Sequence, residues 1–243
     1  MIRAHMATFP ARRAILERAV ARIAPQVEKL CVVLNEYDEV PQELAQFDNV
    51  EPIIPDEDLK DVGKFLPEVA PNDRVFLVDD DIAYPDNYMR RSLRLARGMG
   101  FQRRVFGYHG SRFDSGGVES IRSRRLYGMN KRQDTYIQVD HLGTGSVLTL
   151  GRYMPSLDYM MSSQKFVDVR FARYQYEGGI ALWSLPRRRR LFPNLLTELD
   201  EDAQVTIADT FTANWPQSVI DEVNTYAGAA DAAEAQASEG APT

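Results

Sequence analysis

Cysteine is nearly absent from this chain of 243 residues: Cys31 is alone. A disulfide within the chain is therefore excluded, and so is a zinc site built on cysteines. Cys31 lies inside the apolar run Leu30 to Leu34, where a small buried core residue is the expectation rather than a nucleophile. Histidine is almost as scarce, with three in all. No apolar stretch approaches the ~20 residues that span a bilayer. The opening segment is interrupted by Arg3, His5, Arg12 and Arg13, which argues against the apolar core of a signal peptide. A cytoplasmic protein is expected, with contact at the inner face of a membrane left open. A net charge of −6 argues against a nucleic-acid binder that relies on bulk charge.

What is present points to one α/β domain. The hydrophobic content of 44% suffices for one substantial core. Short apolar runs alternate with helical patterns, as in βαβ units around a mostly parallel sheet. Strands are expected at Ile2 to Thr8, Leu30 to Leu34, Val50 to Ile54 and Arg74 to Val78. Helices are expected from Pro10 to about Ala24 and from Pro85 to about Arg97, the second stopped by Gly98 and Gly100. Further strands are read at Arg104 to Tyr108, Thr135 to Val139 and Ile180 to Trp183, with a helix from Lys165 to Glu177. The Gly-, Ser- and Arg-rich stretch between Gly110 and Asp134 reads either as a hairpin or as a mobile functional loop. From about Ala227 the chain is Ala, Gly, Glu and Ser, and a disordered tail over 227–243 is expected. The domain proper is thus 1–226, with a first half to about 108 and a second from 109.

Arginine gathers at Arg103-Arg104, at Arg122, Arg124 and Arg125, and at Arg187 to Arg190. Its fork suits bidentate contact with phosphate. Arg187 and Arg188 are candidates for such a contact, or for one with anionic lipid headgroups; a solvated basic face is the rival reading.

The run Val75-Phe76-Leu77-Val78 leads straight into Asp79-Asp80-Asp81. A buried strand ending in three carboxylates sets them at the carboxyl edge of the sheet, where α/β proteins bind ligands. Adjacent carboxylates repel, and a bound cation offsets that cost; hard oxygen ligands suit Mn²⁺ or Mg²⁺. The bland alternative is a solvated acidic turn that caps the next helix.

The run Phe76-Leu77-Val78-Asp79-Asp80-Asp81-Ile82, followed by Tyr84-Pro85-Asp86, resembles the D-x-D segment of glycosyltransferases with the GT-A fold, especially the inverting family 2 group. The resemblance implies a divalent ion on Asp79, Asp80 and Asp81, bridging the two phosphates of a nucleotide-sugar, with one aspartate near the ribose. It also implies donor contacts around Thr8, Pro10 and Arg12 in Ala7-Thr8-Phe9-Pro10-Ala11-Arg12, at Asn35 after the second strand, and at Asp61 and Lys64 in Asp61-Val62-Gly63-Lys64-Phe65. Lys165 to Ala172 resembles the family's helix that presents an acidic residue near its start, which makes Asp168 the candidate general base. Family 2 usually has Glu-Asp there, whereas this chain has Val167-Asp168.

The small residues of His141-Leu142-Gly143-Thr144-Gly145 let a ligand approach the backbone. His141, Gly143, Thr144 and Gly145 are expected to floor the site between donor and acceptor, although a plain tight turn explains them equally. Many relatives close the metal site with a late histidine; here none follows His141. The expected activity is metal-dependent sugar transfer from a nucleotide-sugar to a glycan or glycolipid hydroxyl. Two alternatives stand beside it. One is a haloacid-dehalogenase-like phosphatase with Asp79 as nucleophile and Asp81 as acid/base. The other is a nucleotide-binding module without catalysis.

Overall fold

A computed structural model describes residues 1–120, 122–198 and 215–239. Its centre is an eight-stranded mixed sheet in the order β3-β2-β1-β4-β10-β5-β11-β8. The strands are β1 (Ile2–Thr8), β2 (Lys29–Leu34), β3 (Val50–Ile53), β4 (Arg74–Val78), β5 (Arg104–Gly107), β8 (Ile137–Val139), β10 (Ser146–Leu150) and β11 (Ala181–Ser184). β3, β2, β1 and β4 run parallel, and β5 runs parallel to β11. β10 enters antiparallel between β4 and β5, and β8 closes the far edge antiparallel to β11. The mostly parallel α/β expectation therefore holds. β10 was not legible in the sequence.

Side chains on a strand alternate between faces, and β4 shows what each face meets. Phe76 and Val78 point into a core shared with Ile15, Leu16, Ala19 and Val20 of α1 (Arg13–Ile23) and Tyr88, Met89 and Leu93 of α2 (Tyr88–Met99). Val75 and Leu77 point the other way, into a second core with Val169, Phe171 and Ala172 of α4 (Val167–Glu177). The short α3 (Leu157–Met160) precedes α4 and touches it. The opening Pro10–Arg12 is a single 3-10 turn before α1. α2 ends at Gly100, which adopts the left-handed φ of 78° that favours glycine. Cys31 is fully buried, as expected.

The stretch 110–134 resolves as a hairpin. β6 (Gly110–Phe113) pairs antiparallel with β7 (Arg124–Tyr127), and β9 (His141–Leu142) completes a small second sheet in the order β7-β6-β9.

The tail is where the sequence reading needs correction. After α5 (Gln217–Asn224), residues Ala229–Glu239 form a helix, α6. Composition argued against order there because large apolar residues are missing. Order comes instead from polar anchoring: Ala230 N donates to Asp140 Oδ1 at 2.7 Å, and Arg112 pairs with Asp231 at 2.9 Å and Glu234 at 2.7 Å. The remainder of the expected disordered tail, 240–243, lies outside the described residues. Among the described residues no helix is long and apolar enough to cross a membrane.

Candidate active site

β1, β2 and β4 end side by side, so the residues that follow them converge. Asp79, Asp80 and Asp81 follow β4 directly. Asp80 is buried and accepts a hydrogen bond from Thr8 Oγ1 at 2.7 Å, which ties the end of β4 to the end of β1. Burial pushes its carboxyl up to about 6, with Thr8 and the nearby Arg12 pulling it back down. Asp81 is pushed up to about 7, chiefly by burial and then by the charges of Asp79 and Asp80. The Asp79 side chain is 36% exposed and forms an ion pair with the buried Lys64.

Lys64 belongs to a 3-10 turn, Lys60–Phe65, packed on the end of β2. Asn35 holds that turn in place: its amide donates to the Lys60 carbonyl at 2.9 Å, and its carbonyl accepts from Leu59 N at 3.0 Å. Both ends of the Asn35 side chain thus bond to backbone and fix the position of the turn. Gly63 permits the packing, since a side chain there would press on Val33. Asp61, on the same turn, accepts from Lys165 N at 2.8 Å, and burial pushes its carboxyl up to about 6. Pro10 is exposed, while Arg12 is buried and lies over the Phe9 ring, 5.5 Å from guanidinium carbon to ring centre.

The second wall comes from the segment before β10. Thr144 donates twice to Asp168 Oδ1, from its backbone N at 2.8 Å and from its hydroxyl at 2.7 Å. Asp168, in the first turn of α4, is thus held through this oxygen by Thr144. The next residue, Gly145, lies against Asp79: a Cβ added there would fall 2.6 Å from Asp79 Cγ. Gly143 packs on His109 and donates its N–H to the His109 carbonyl at 2.9 Å. His141 sits with Nε2 3.9 Å from Asp168 Oδ2 and shares a hydrogen bond of 3.2 Å with Tyr226 through Nδ1. Burial lowers its imidazole to about 4, so it is neutral near pH 7 despite the carboxylate.

Four more residues complete this region: Tyr84, His109, Arg124 and Tyr226. The Tyr84 hydroxyl accepts from Asp79 N at 2.8 Å and donates to the Gly145 carbonyl at 2.5 Å, locking the acidic run to the floor. Burial lowers the imidazole of His109, whose Nδ1 is buried with no hydrogen-bond partner among the described residues. Arg124 is a partly buried cation whose guanidinium burial lowers and whose charge Asp168 favours. Tyr226 approaches from beyond α5. Tyr84 lies next to the acidic run and Arg124 in an arginine cluster, whereas Tyr226 arrives from a distant segment with no local motif.

The phosphate-contact expectation for Arg187 is corrected. The side chain is buried and donates to the carbonyls of Tyr127 at 2.8 Å, Gly128 at 2.8 Å and Leu185 at 3.1 Å, to Gln133 Oε1 at 2.9 Å and to Ser184 Oγ at 3.0 Å. Its donors are consumed inside the fold, which leaves none for a ligand. Arg188 is exposed.

Among the described residues, no group of three or more His, Cys, Asp or Glu side chains is arranged to cage a metal ion. The carboxyls of Asp80 and Asp81 are nevertheless destabilised as anions by burial and by the charge of Asp79. That donor set fits a divalent cation held by one or two carboxylates and completed by water and phosphate oxygens, the usual habit of Mg²⁺.

No protein-family model matches this sequence, and no curated protein matches it. Among solved structures the chain is similar to the crystal structure of mannose-6-phosphate isomerase from Helicobacter pylori, at 10% identity and a TM-score of 0.38, over 88% of this chain and 94% of that one. A likeness at that score carries nothing about chemistry, and the reading of the site rests on its own residues.

Proposed function

We propose that this chain is a metal-dependent glycosyltransferase with a GT-A-like domain, moving a sugar from a nucleotide-sugar to a hydroxyl acceptor with inversion. One observation carries the reading: consecutive residues, Thr144 and Gly145, touch Asp168 and Asp79 respectively. A cluster suited to a cation and diphosphate and a separate carboxylate suited to proton transfer thus flank one two-residue floor. A phosphatase reading has no use for the second carboxylate, and a mere nucleotide module has no use for its placement.

Asp79 and Asp81 are the residues that would hold Mn²⁺ or Mg²⁺, with Asp80 fixing the loop through Thr8. The ion, when bound, supplies Lewis acidity to the departing diphosphate. Lys64 adds a fixed positive charge beside Asp79. The turn held by Asn35, together with Asp61, Pro10 and Arg12, frames the nucleotide. On the other side the acceptor hydroxyl oxygen bonds to the anomeric carbon as the bond to the diphosphate oxygen breaks. Its electron pair leaves with the diphosphate, and the proton passes to Asp168. Thr144 occupies Oδ1 of that carboxylate, so Oδ2 is the oxygen left to take it. The acceptor class in this reading is a glycan or glycolipid hydroxyl at the cytoplasmic face of a membrane.

The test is a thermal-shift screen of UDP-, GDP-, CMP- and dTDP-sugars with and without Mn²⁺, on the wild type and on Asp79→Ala/Asp81→Ala. A ligand at a hundredfold over its Kd stabilises by ~2.7 kcal/mol. A shift for one nucleotide class, seen only with metal and only in the wild type, is expected. A shift with a phosphate mimic and Mg²⁺ but with no nucleotide-sugar would replace the reading by the phosphatase.

A further inference from the structure

Away from the aspartates, a cavity of about 340 Å³ opens between the last turn of α1 and the segment after β11. Arg22, Arg188 and Arg190 line it, together with apolar surface from Pro85, Leu191 and Leu195. Among the described residues no carboxylate lines this cavity, and none of the three arginines has an ion-pair partner. Three like charges on one concave wall repel, and an anion seated there offsets that repulsion.

The arginines are mounted on ordered backbone. Phe192, next to the run, packs edge-on against Tyr84, Tyr88 and Tyr108, with ring centres 6.0, 5.6 and 5.2 Å away. Asn130 clasps the same segment, donating to the Phe192 carbonyl at 2.8 Å and accepting from Phe192 N at 2.9 Å. Arg190 adopts a left-handed φ of 55° and donates its N–H to the Asn130 carbonyl at 3.0 Å. The far wall is stitched to the acidic run by Leu195 N to the Asp81 carbonyl at 2.7 Å and Ala83 N to the Pro193 carbonyl at 2.8 Å.

We propose that this groove is a second anion site, taking the phosphate of an ester whose remaining part is apolar. The arginine forks match phosphate oxygens, and the proline and leucine wall lies alongside for the hydrocarbon part. The proposal does not depend on sugar transfer, because none of its residues belongs to the aspartate site or to the floor.

Two probes distinguish the source of the phosphate. Calorimetric titration with inorganic phosphate and with hexyl phosphate, whose remainder is apolar, tests a soluble ester. Sedimentation with vesicles of phosphatidylcholine, alone and mixed with phosphatidic acid, tests a headgroup at a lipid surface. Wild type is expected to bind at least one probe, and each arginine replaced in R22Q/R188Q/R190Q should weaken binding about fivefold. R22K/R188K/R190K should keep most of it, and Asp79→Ala/Asp81→Ala should keep it all. If the triple glutamine variant fails to fold, R22Q alone, on an exposed helix surface, carries the test. Wild type that binds neither probe overturns the proposal, and so does a glutamine variant that binds as well as wild type.

Discussion

The Asp79 carboxylate fills the place where a side chain on Gly145 would be. A Cβ at that position would lie 2.6 Å from Asp79 Cγ, and Tyr84 bridges the two segments from below with one hydroxyl. Glycine at 145 is therefore a condition for the acidic run to stand where it does.

Gly145→Ala should expel Asp79 from its seat and break its pairing with Lys64. Crowding of this kind costs roughly 1–3 kcal/mol, readable as a lower urea midpoint. Metal-dependent nucleotide binding should fall with it. A variant that folds and binds nucleotide and Mn²⁺ like wild type would contradict this account of the floor.

Asp168→Asn should leave donor binding unchanged, since the amide oxygen still accepts from Thr144. Sugar transfer should drop by about 10²–10⁴, the range for loss of general acid–base help. Retained turnover with a sugar acceptor would remove Asp168 from the chemistry and leave it as a clamp on Thr144.

Arg187→Ala should act on stability alone. It strands the carbonyls of Tyr127, Gly128 and Leu185, which now accept from the guanidinium. A loss of roughly 3 kcal/mol is expected in chemical unfolding. Nucleotide affinity in the folded fraction should be unaltered, and a selective affinity loss would restore the phosphate role.

The contribution of His5 to stability should fall as pH drops below neutrality. Its ring is buried, donates from Nδ1 to the Lys64 carbonyl at 2.9 Å, and has its pKa lowered to about 4 by burial. The unfolded chain takes up that proton near 6.5, so between the two values it binds more protons than the fold. The contribution is full above about pH 6.5, falls as pH drops and is gone near pH 4, amounting to roughly 3 kcal/mol. His141 adds in the same direction, whereas Asp61 and Asp80, raised to about 6 by burial, and Asp81, raised to about 7, oppose it because the fold takes their protons first. Comparing wild type with His5→Asn isolates the term: the stability gap between them should shrink from pH 7.5 to pH 4.5. A constant gap would show that His5 does not titrate as described.

Much of the first half was legible because its signals are local. Val75 to Val78 read as a buried strand, and three charges immediately after it could only end it. α1 and α2 announced themselves through apolar spacing bracketed by Pro10 and Gly100. The second half was harder for physical reasons. β10, Ser146–Leu150, is short and follows a glycine-rich floor, and its antiparallel seat depends on partners far away in sequence. Arg187 looked like the first of four surface cations; only Gln133 and the carbonyls of the 127–128 turn, more than fifty positions earlier, reveal it as internal. α6 escaped notice because its anchors, Asp140 and Arg112, belong to other segments.

The seat of β10 also governs how the protein can be made. β4 and β5 never touch each other; each pairs with β10, whose residues are the last of the three to leave a ribosome. Until about residue 150 has emerged, β4 presents a bare apolar edge of the kind that pairs wrongly with other chains. A chain severed after β5 would keep that edge permanently. The two halves are thus not modules that can be exchanged or expressed apart, and a yield-limiting step in synthesis is expected at the arrival of β10.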